Sequence, residues 1–492
     1  MDPTMALLMR QNSASRGFET HAKGLIKASE ETIADIDSQM QNLARLRDRE
    51  RGILAILCNA IVPANKLCAE LLVEIFLFLA MPRPGQSTLE STAASIAAIL
   101  TVSQVSAYWR KIATAAPRLW TNFFHLQLKT RPTDAYLTAL TWWLDRSSPL
   151  SIRVTVKSDL PPHDIAPLIH TLLRGASRWS DLTLQIRSLA CLPATIPHSL
   201  DKLTEVRISV HYGSLEKRST FLNALSLRKA ALNTDDLALL PWKHLTKLSL
   251  TTSSAVHCLE VLDRCMNLKR AELSFYPFRT GEPAAVPLKP STVIPSLECI
   301  WLYFADTPSA PVLRHLTLPN LKSLRIGHSL RGRPSEWPTA MFTQFQQRSP
   351  FITRIELVSV QIASAEFITM LRNLPLLQSL STWNCRHCID DAFLQALRYQ
   401  DSDLSPLVPA LTSLSLREVG CSFHRSNLEK TIRSRWWLDE ELHSVPSERR
   451  PRVERWECVS ITVGETARRF LSRRFLARME SCRLQGLSLY LK

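Results

Sequence analysis

Two short pairs of thiol- and imidazole-bearing residues carry the most chemistry in this chain. Cys385-Arg-His-Cys388 and Cys421-Ser-Phe-His424 each set two metal-binding donors three positions apart. That spacing suits structural zinc, which takes four such donors in a tetrahedron. His163-Asp164 with His170 is a weaker candidate, where imidazole and carboxylate could share a metal, although Pro161-Pro162 reads better as a helix start. Other reactive constellations are missing from the sequence. None of the 12 glycines builds a GxGxxG or Walker phosphate loop, and there is no HExxH pair and no GxSxG nucleophile elbow. The expectation is therefore no catalytic residue, no cofactor and no bound metal, with function sought in binding surfaces.

The elements that position these residues come from a repeat. Beyond Trp142 the frame apolar-x-x-apolar-x-apolar recurs, the strand core of a leucine-rich repeat. It is read at Trp179/Leu182/Leu184, Leu203/Val206/Ile208, Leu222/Leu225/Leu227, Leu245/Leu248/Leu250, Leu268/Ala271/Leu273 and Leu297/Ile300/Leu302. It continues at Leu321/Leu324/Ile326, Ile352/Ile355/Leu357, Leu377/Leu380, Leu411/Leu414/Leu416, Trp456/Val459/Ile461 and Leu484/Leu487/Leu489. Most steps measure about 19 to 31 residues, close to the usual repeat. Helical segments at Val256–Met266, Ala365–Leu374 and Asp391–Leu397 fall between strands. "LLQSLSTWNCRHCIDDAFLQAL" fits the same scheme, with Asn384 or Cys385 supporting the turn and Ile389-Asp390 opening the next helix. This structural reading is preferred to zinc.

A solenoid of this kind points its frame residues inward and displays the alternating ones on a concave sheet. The expected display is Arg207, Arg228, Lys247, Arg270, Glu272, Trp301, Tyr303, Arg325, Arg354, Glu356, Trp383 and Arg417. Arginine and aromatic residues dominate binding hot spots, so all of these except Arg228 are taken as the client-binding set. The alternative is a solvated face with its aromatics covered by an insert.

Val62 to Phe124 has a different character. Pro63 precedes Leu67, Glu70, Leu71, Leu72, Glu74, Ile75, Phe76, Phe78 and Leu79, apolar at three- and four-residue steps. That stripe is wider than one core-facing side needs, so part of it is expected to meet a partner. A second helical run holds Ile96, Leu100, Val102, Val105, Trp109, Ile112 and Ala113, and ends at Pro117 before Leu119 and Trp120. "ANKLCAELLVEIFLFL" followed by "AAILTVSQVSAYWRKIATAAPRLWTNFF" resembles the F-box-like domain of fungal-type F-box proteins. The match rests on Leu67, Glu70, Leu71, Leu72, Glu74, Ile75 and Phe76, then Val105, Trp109, Arg110, Ile112, Ala113, Pro117, Leu119 and Trp120. Cys68 and Ala69 stand where that family carries prolines, and Ser106 replaces its cysteine. The resemblance implies docking to a Skp-type adaptor and through it a cullin ubiquitin ligase. Leu67, Leu71, Leu72, Ile75, Val105, Trp109, Leu119 and Trp120 would serve that contact or its supporting core. An ordinary two- or three-helix core is the other reading.

Upstream, Glu30–Ile61 reads as a helix. Ile33, Ile36, Met40 and Leu43 keep heptad spacing, Arg47 and Glu50 then occupy core positions, and Leu54 and Leu57 resume the pattern. Packing beside the docking block and self-association both stay open. The 492 residues are 45% hydrophobic, which is globular composition, and 60 basic against 44 acidic residues give a formal +16 that favours acidic partners. The 11 scattered cysteines, without a targeting segment, suggest reduced thiols in the cytosol or nucleus. No apolar run is long enough for a membrane span. Arginines at 449, 450, 452 and 455, and again at 468, 469, 473, 474 and 478, come without a nucleic-acid reading motif. The second cluster reads as the outer face of a packed repeat helix.

The expected fold class is thus α/β: an all-helical F-box-like domain followed by a leucine-rich-repeat solenoid with parallel strands on the concave face and helices outside. The expected divisions are disordered 1–24, a helix or short coiled coil at 25–61, the F-box-like domain at 62–125, a linking or capping segment at 126–178, and the solenoid at 179–492. The expected role is the substrate-recognition adaptor of a Skp–cullin–F-box ligase. A binding scaffold without ligase assembly and a basic nucleic-acid-associated repeat protein are the alternatives.

Overall fold

The computed structural model describes residues 16–61, 63, 67–81, 88–122, 124–210, 220–233, 240–276, 292–305, 307, 309–329, 337–420, 422–438, 451–463 and 473–491. It divides into two compact units, Met1–Leu79 with Ile99–Thr114, and Ala80–Ala98 with Ala115–Lys492. The block at 62–125, expected as one domain, is therefore shared between them.

The first unit contains α1 (Arg16–Ile61), α2 (Ala69–Leu79), the last turns of α3 (Thr88–Val105) and nearly all of α4 (Ala107–Ala115). Helix α1 begins at Arg16, so residues 16–24 are helical rather than disordered; residues 1–15 lie outside the described ones. The early turns carry no apolar stripe and are held by four-residue ion pairs instead, Lys23 to Glu19 at 2.7 Å and Lys27 to Glu31 at 3.9 Å.

The second unit is built on strands. In chain order they are β1 (His125–Leu128), β2 (Ile152–Ser158), β3 (Trp179–Ile186), β4 (Glu205–Val210), β5 (Lys229–Asn233), β6 (Lys247–Thr252), β7 (Arg270–Phe275) and β8 (Thr292–Val293). Then come β9 (Cys299–Phe304), β10 (Leu316–Thr317), β11 (Ser323–His328), β12 (Arg354–Val358), β13 (Ser379–Trp383), β14 (Ser413–Val419), β15 (Cys458–Val463) and β16 (Ser488–Leu491). All except β8 and β10, which pair with each other, form one 14-stranded sheet in sequential order, and its neighbouring strands run parallel. A parallel neighbour requires a crossover. Here many crossovers are helical: α5 (Asp134–Arg146), α6 (Pro162–Leu173), α7 (Ala255–Arg264), α8 (Ala310–His315), α9 (Thr339–Gln347), α10 (Ser364–Arg372), α11 (Asp391–Leu397), α12 (Arg425–Ser434) and α13 (Arg473–Leu484). This is a leucine-rich-repeat solenoid.

One core row runs Leu182, Val206, Ala230, Leu248, Ala271, Ile300, Leu324, Ile355, Leu380, Leu414, Val459 and Leu489, each in register with the next. All but the terminal Leu489 are buried. Two expected frames are misplaced against that row. Leu222 and Leu225 are exposed, and the frame there is Leu227/Ala230/Leu232. Leu484 is 81% exposed, and Leu489 and Leu491 are the residues aligned with Val459 and Ile461. The segment at 126–178, expected to link or cap, carries β1 and β2, which join the same sheet at its first edge, backed by α5 and α6.

Stacking helices in the dry interior strands carbonyls at their C-terminal ends. Arginines from the next repeat answer them. Arg178 donates to the Leu144 carbonyl at 2.7 Å, and Arg348 donates to the carbonyls of Leu313 and Leu316. Arg435, fully buried, donates to the carbonyl of Leu397 at the end of α11 and to those of Leu407 and Val408 in the following loop, and burial pulls its pKa down to about 10. Arg435→Leu should lower stability by about 2–4 kcal/mol, because three carbonyls lose their donor. A urea titration followed by tryptophan fluorescence should show this as a lower midpoint, with exposed Arg417→Leu unchanged within about 0.5 kcal/mol.

Candidate functional site

Helix α2 has two apolar faces. Leu72 and Phe76, one turn apart, are buried, and the Phe76 ring meets Trp109 at 5.1 Å. Leu71 and Phe78 are 53% and 73% exposed, and Ile75 and Leu79 accompany them along one exposed stripe. The helix starts without the resembled family's prolines: the Leu72 N–H donates to the Cys68 carbonyl at 3.2 Å. Tyr108 Oη donates to the Leu67 carbonyl at 3.2 Å, tying α4 to the turn before α2.

The eight residues expected at an adaptor contact thus separate. Leu71, Ile75 and Val105 are exposed, whereas Leu67 and Trp109 are half-buried. Leu72, Leu119 and Trp120 are core. Trp120 belongs to the other unit, edge-on to Trp142 with ring centroids 5.0 Å apart, and Arg146 lies over Trp142 at 3.1 Å. Phe78 and Leu79 were not assigned to the contact from sequence, although their spacing from Leu71 and Ile75 already placed them on that stripe.

The concave set falls on strands whose outer face alternates with the buried rows. Arg207, Lys247, Arg270, Arg354, Trp383 and Arg417 lie at outward positions of their strands. Glu272, Trp301, Arg325 and Glu356 occupy one register on four successive strands of the sheet. Arg325 sits 4.2 Å from the centre of the Trp301 ring, a cation–π stack, and 3.4 Å from Glu356. In the adjacent register Tyr303, Gly327, Val358, Trp383 and Arg417 align. Gly327 leaves room for the Tyr303 ring: a Cβ there would stand 3.3 Å from it, closer than ordinary contact. The Trp301 indole nitrogen is buried without a hydrogen-bond partner. Tyr276, exposed, adds a third aromatic 6.0 Å from Tyr303.

Carboxylates on this face are largely consumed by neighbouring cations. Glu205 pairs with Arg207 and with Lys229 at 3.7 Å, Lys247 with Glu272 at 3.0 Å, and Arg153 with Asp181 at 3.4 Å. Among the described residues, Arg270 and Arg354 have no carboxylate within ion-pairing distance. Arg228 lies just before β5 and donates to the Leu225 and Leu227 carbonyls, so Lys229 takes the outward place expected for it.

The donors considered for zinc do not gather. The Cys385 and Cys388 thiols are buried and donate to main-chain carbonyls of Leu357 and Cys385. Asn384, at φ 55°, turns the chain after β13, and Asp390 caps α11 by accepting from the Phe393 N–H at 2.8 Å. His424 spends its Nδ1 on Asp391 at 2.6 Å; with its own backbone N–H, the larger influence, this holds the Asp391 carboxyl below its ordinary pKa. Cys421 lies outside the described residues. Pro162 opens α6, where His163 and His170 are both exposed. No group of three or more potential metal ligands occurs among the described residues, and no described helix is long and apolar enough to cross a membrane. In the second arginine cluster, Phe475 is buried and Arg478 pairs with Glu429 at 3.0 Å; residues 464–472 lie outside the described ones.

No family model matches the chain, and no curated protein matches it. Among solved structures it is similar to an internalin from Listeria monocytogenes, at 12% identity and a TM-score of 0.29, over 64% of this chain and 74% of that one. It is also similar to TLR13 in a complex with ssRNA13, at 12% identity and a TM-score of 0.24, over 69% of this chain and 59% of that one.

The two faces of α2 should behave differently on truncation. Leu72→Ala removes core volume and is expected to cost about 2–5 kcal/mol, seen as a loss of circular-dichroism thermal stability. Leu71→Ala is expected to stay within about 0.5 kcal/mol.

Proposed function

We propose that this protein is a two-part interaction scaffold: the outer stripe of α2 docks a Skp-type adaptor of a cullin ubiquitin ligase, and the concave solenoid face holds a client. The observation that carries this reading is the second apolar face of α2, left exposed after Leu72 and Phe76 have filled the core. The F-box-like resemblance of the surrounding residues supplies the chemistry of its partner. On the solenoid, Arg270 and Arg354, which have no carboxylate partner among the described residues, and the Trp301–Tyr303–Tyr276 aromatics favour a client with acidic side chains around an apolar anchor. Such a protein needs no catalytic residue. It raises the effective concentration of a client lysine beside a charged conjugating enzyme.

Cys68 and Ala69, in place of the usual prolines, support a second reading: a scaffold that binds clients without assembling a ligase. Affinity purification of the full chain at physiological salt separates the readings. Adaptor and cullin should co-purify, and Leu71→Glu with Phe78→Glu should reduce their recovery at least about tenfold while the melting temperature holds. Clients recovered without adaptor would favour the second reading. Salt-labile nucleic acid would argue for the basic repeat protein instead.

Client capture has its own expectation. Gly327→Val should lift Tyr303 off the strand and weaken client recovery about tenfold with adaptor recovery unchanged. Equal client recovery would remove the aromatic patch from the interface.

A further inference from the structure

We infer that α1 pairs antiparallel with α1 of a second copy of this chain. Helix α1 is a single run of 46 residues whose apolar stripe remains on its surface. Ile36, Met40, Leu43, Leu54, Leu57 and Ile61 are between 49% and 73% exposed. They recur at alternating three- and four-residue steps, the seam of a coiled coil. Arg47 and Glu50 interrupt that seam near its middle, and both are exposed.

The interruption decides the orientation. In a parallel pair each seam residue faces its own copy, so Arg47 would meet Arg47 and Glu50 would meet Glu50. In an antiparallel pair with its two-fold axis between Asp48 and Arg49, Arg47 faces Glu50 of the second copy, twice. The same register sets Leu43 against Leu54, Met40 against Leu57 and Ile36 against Ile61. Two opposite-charge layers are then flanked on each side by three apolar ones, across about 39 Å of helix. Leu46 and Ile53 lie outside the seam yet are exposed. In this register they meet across its flank and shelter the ion pairs from water. Ile33, one step further along the stripe and 58% exposed, stays outside this register. No other antiparallel register of the seam from Ile36 to Ile61 sets Arg47 against Glu50 and apolar against apolar in its remaining layers, so a second copy fits where a partner of unrelated sequence has no such constraint. The pairing does not depend on what α2 or the concave face binds.

The full chain, measured by multi-angle light scattering up to about 50 µM, is expected to reach twice its 55.7 kDa mass. Arg47→Glu and Glu50→Arg should each raise the dimer dissociation constant roughly tenfold or more, by placing like charges in both central layers. The double exchange Arg47→Glu with Glu50→Arg should restore it. Unchanged helical circular dichroism in all four proteins keeps the comparison fair. A wild-type chain that stays monomeric overturns the inference, including one that stays monomeric while α1 holds a different protein. So does a double exchange no better than the single ones, since a parallel pair keeps like charges facing in every variant.

Discussion

No repeat of the solenoid can bury its own apolar strand face; only the neighbouring repeat can. The row from Leu182 to Val459 is closed residue on residue because each strand pairs in parallel register with the one before it. Main-chain bonds reinforce the stacking at the strand entrances, where Thr204, Thr246, Thr353 and Thr412 each donate from N–H to a carbonyl one repeat earlier. The same dependence makes the ends special. At the first, Phe124 and Leu126 are buried against the sheet. On β16, Leu489 and Leu491 are only half-covered. Arg178, Arg348 and Arg435 answer the same constraint on the helical side, where stacked helix ends exclude the water that would otherwise satisfy their carbonyls.

With the inner rows committed to packing, only the opposite face is free to vary. Parallel register brings side chains on adjacent strands within about 5 Å of each other, so pairs far apart in sequence become neighbours. Arg325 beside Trp301 and Glu356 is one result, and Lys247 beside Glu272 is another. Each ion pair cancels an acidic group against a basic one, and an excess of arginine and lysine remains on that face.

Much of this was legible because period-two alternation and leucine spacing are direct consequences of burial on one strand face. The frame failed where its physical signal weakened. At β5 the inward residue is Ala230, too small to stand out, while Leu222 and Leu225 supplied a decoy of the right spacing on the surface. At β16 the chain offers leucines at 484, 487, 489 and 491, and only the register with β15 selects the last two. Ile152, Val154 and Val156 alternate plainly, but the frame's leading leucine is missing, so β2 does not register as a repeat. In α2 the width of the stripe showed that two faces were needed. Which leucine faced inward depended on where Phe76 and Trp109 meet, and spacing alone does not say that.

Helices α1 and α2 show two ways of leaving apolar residues in water. The outer stripe of α2 is short, and its one neighbouring charge, the exposed Glu74, lies at its flank beside Leu71 and Phe78, so apolar shape and area would largely select what covers it. A uniform patch of that kind tolerates sliding and is best matched by a preformed groove. The stripe of α1 is longer and would slide as easily were it leucine throughout. Arg47 and Glu50 give up apolar area at its centre, which weakens any pairing, but they penalise every register in which they meet a like charge or a leucine. A charged pair kept in the middle of a seam, rather than at its rim, is a device for choosing one alignment among several.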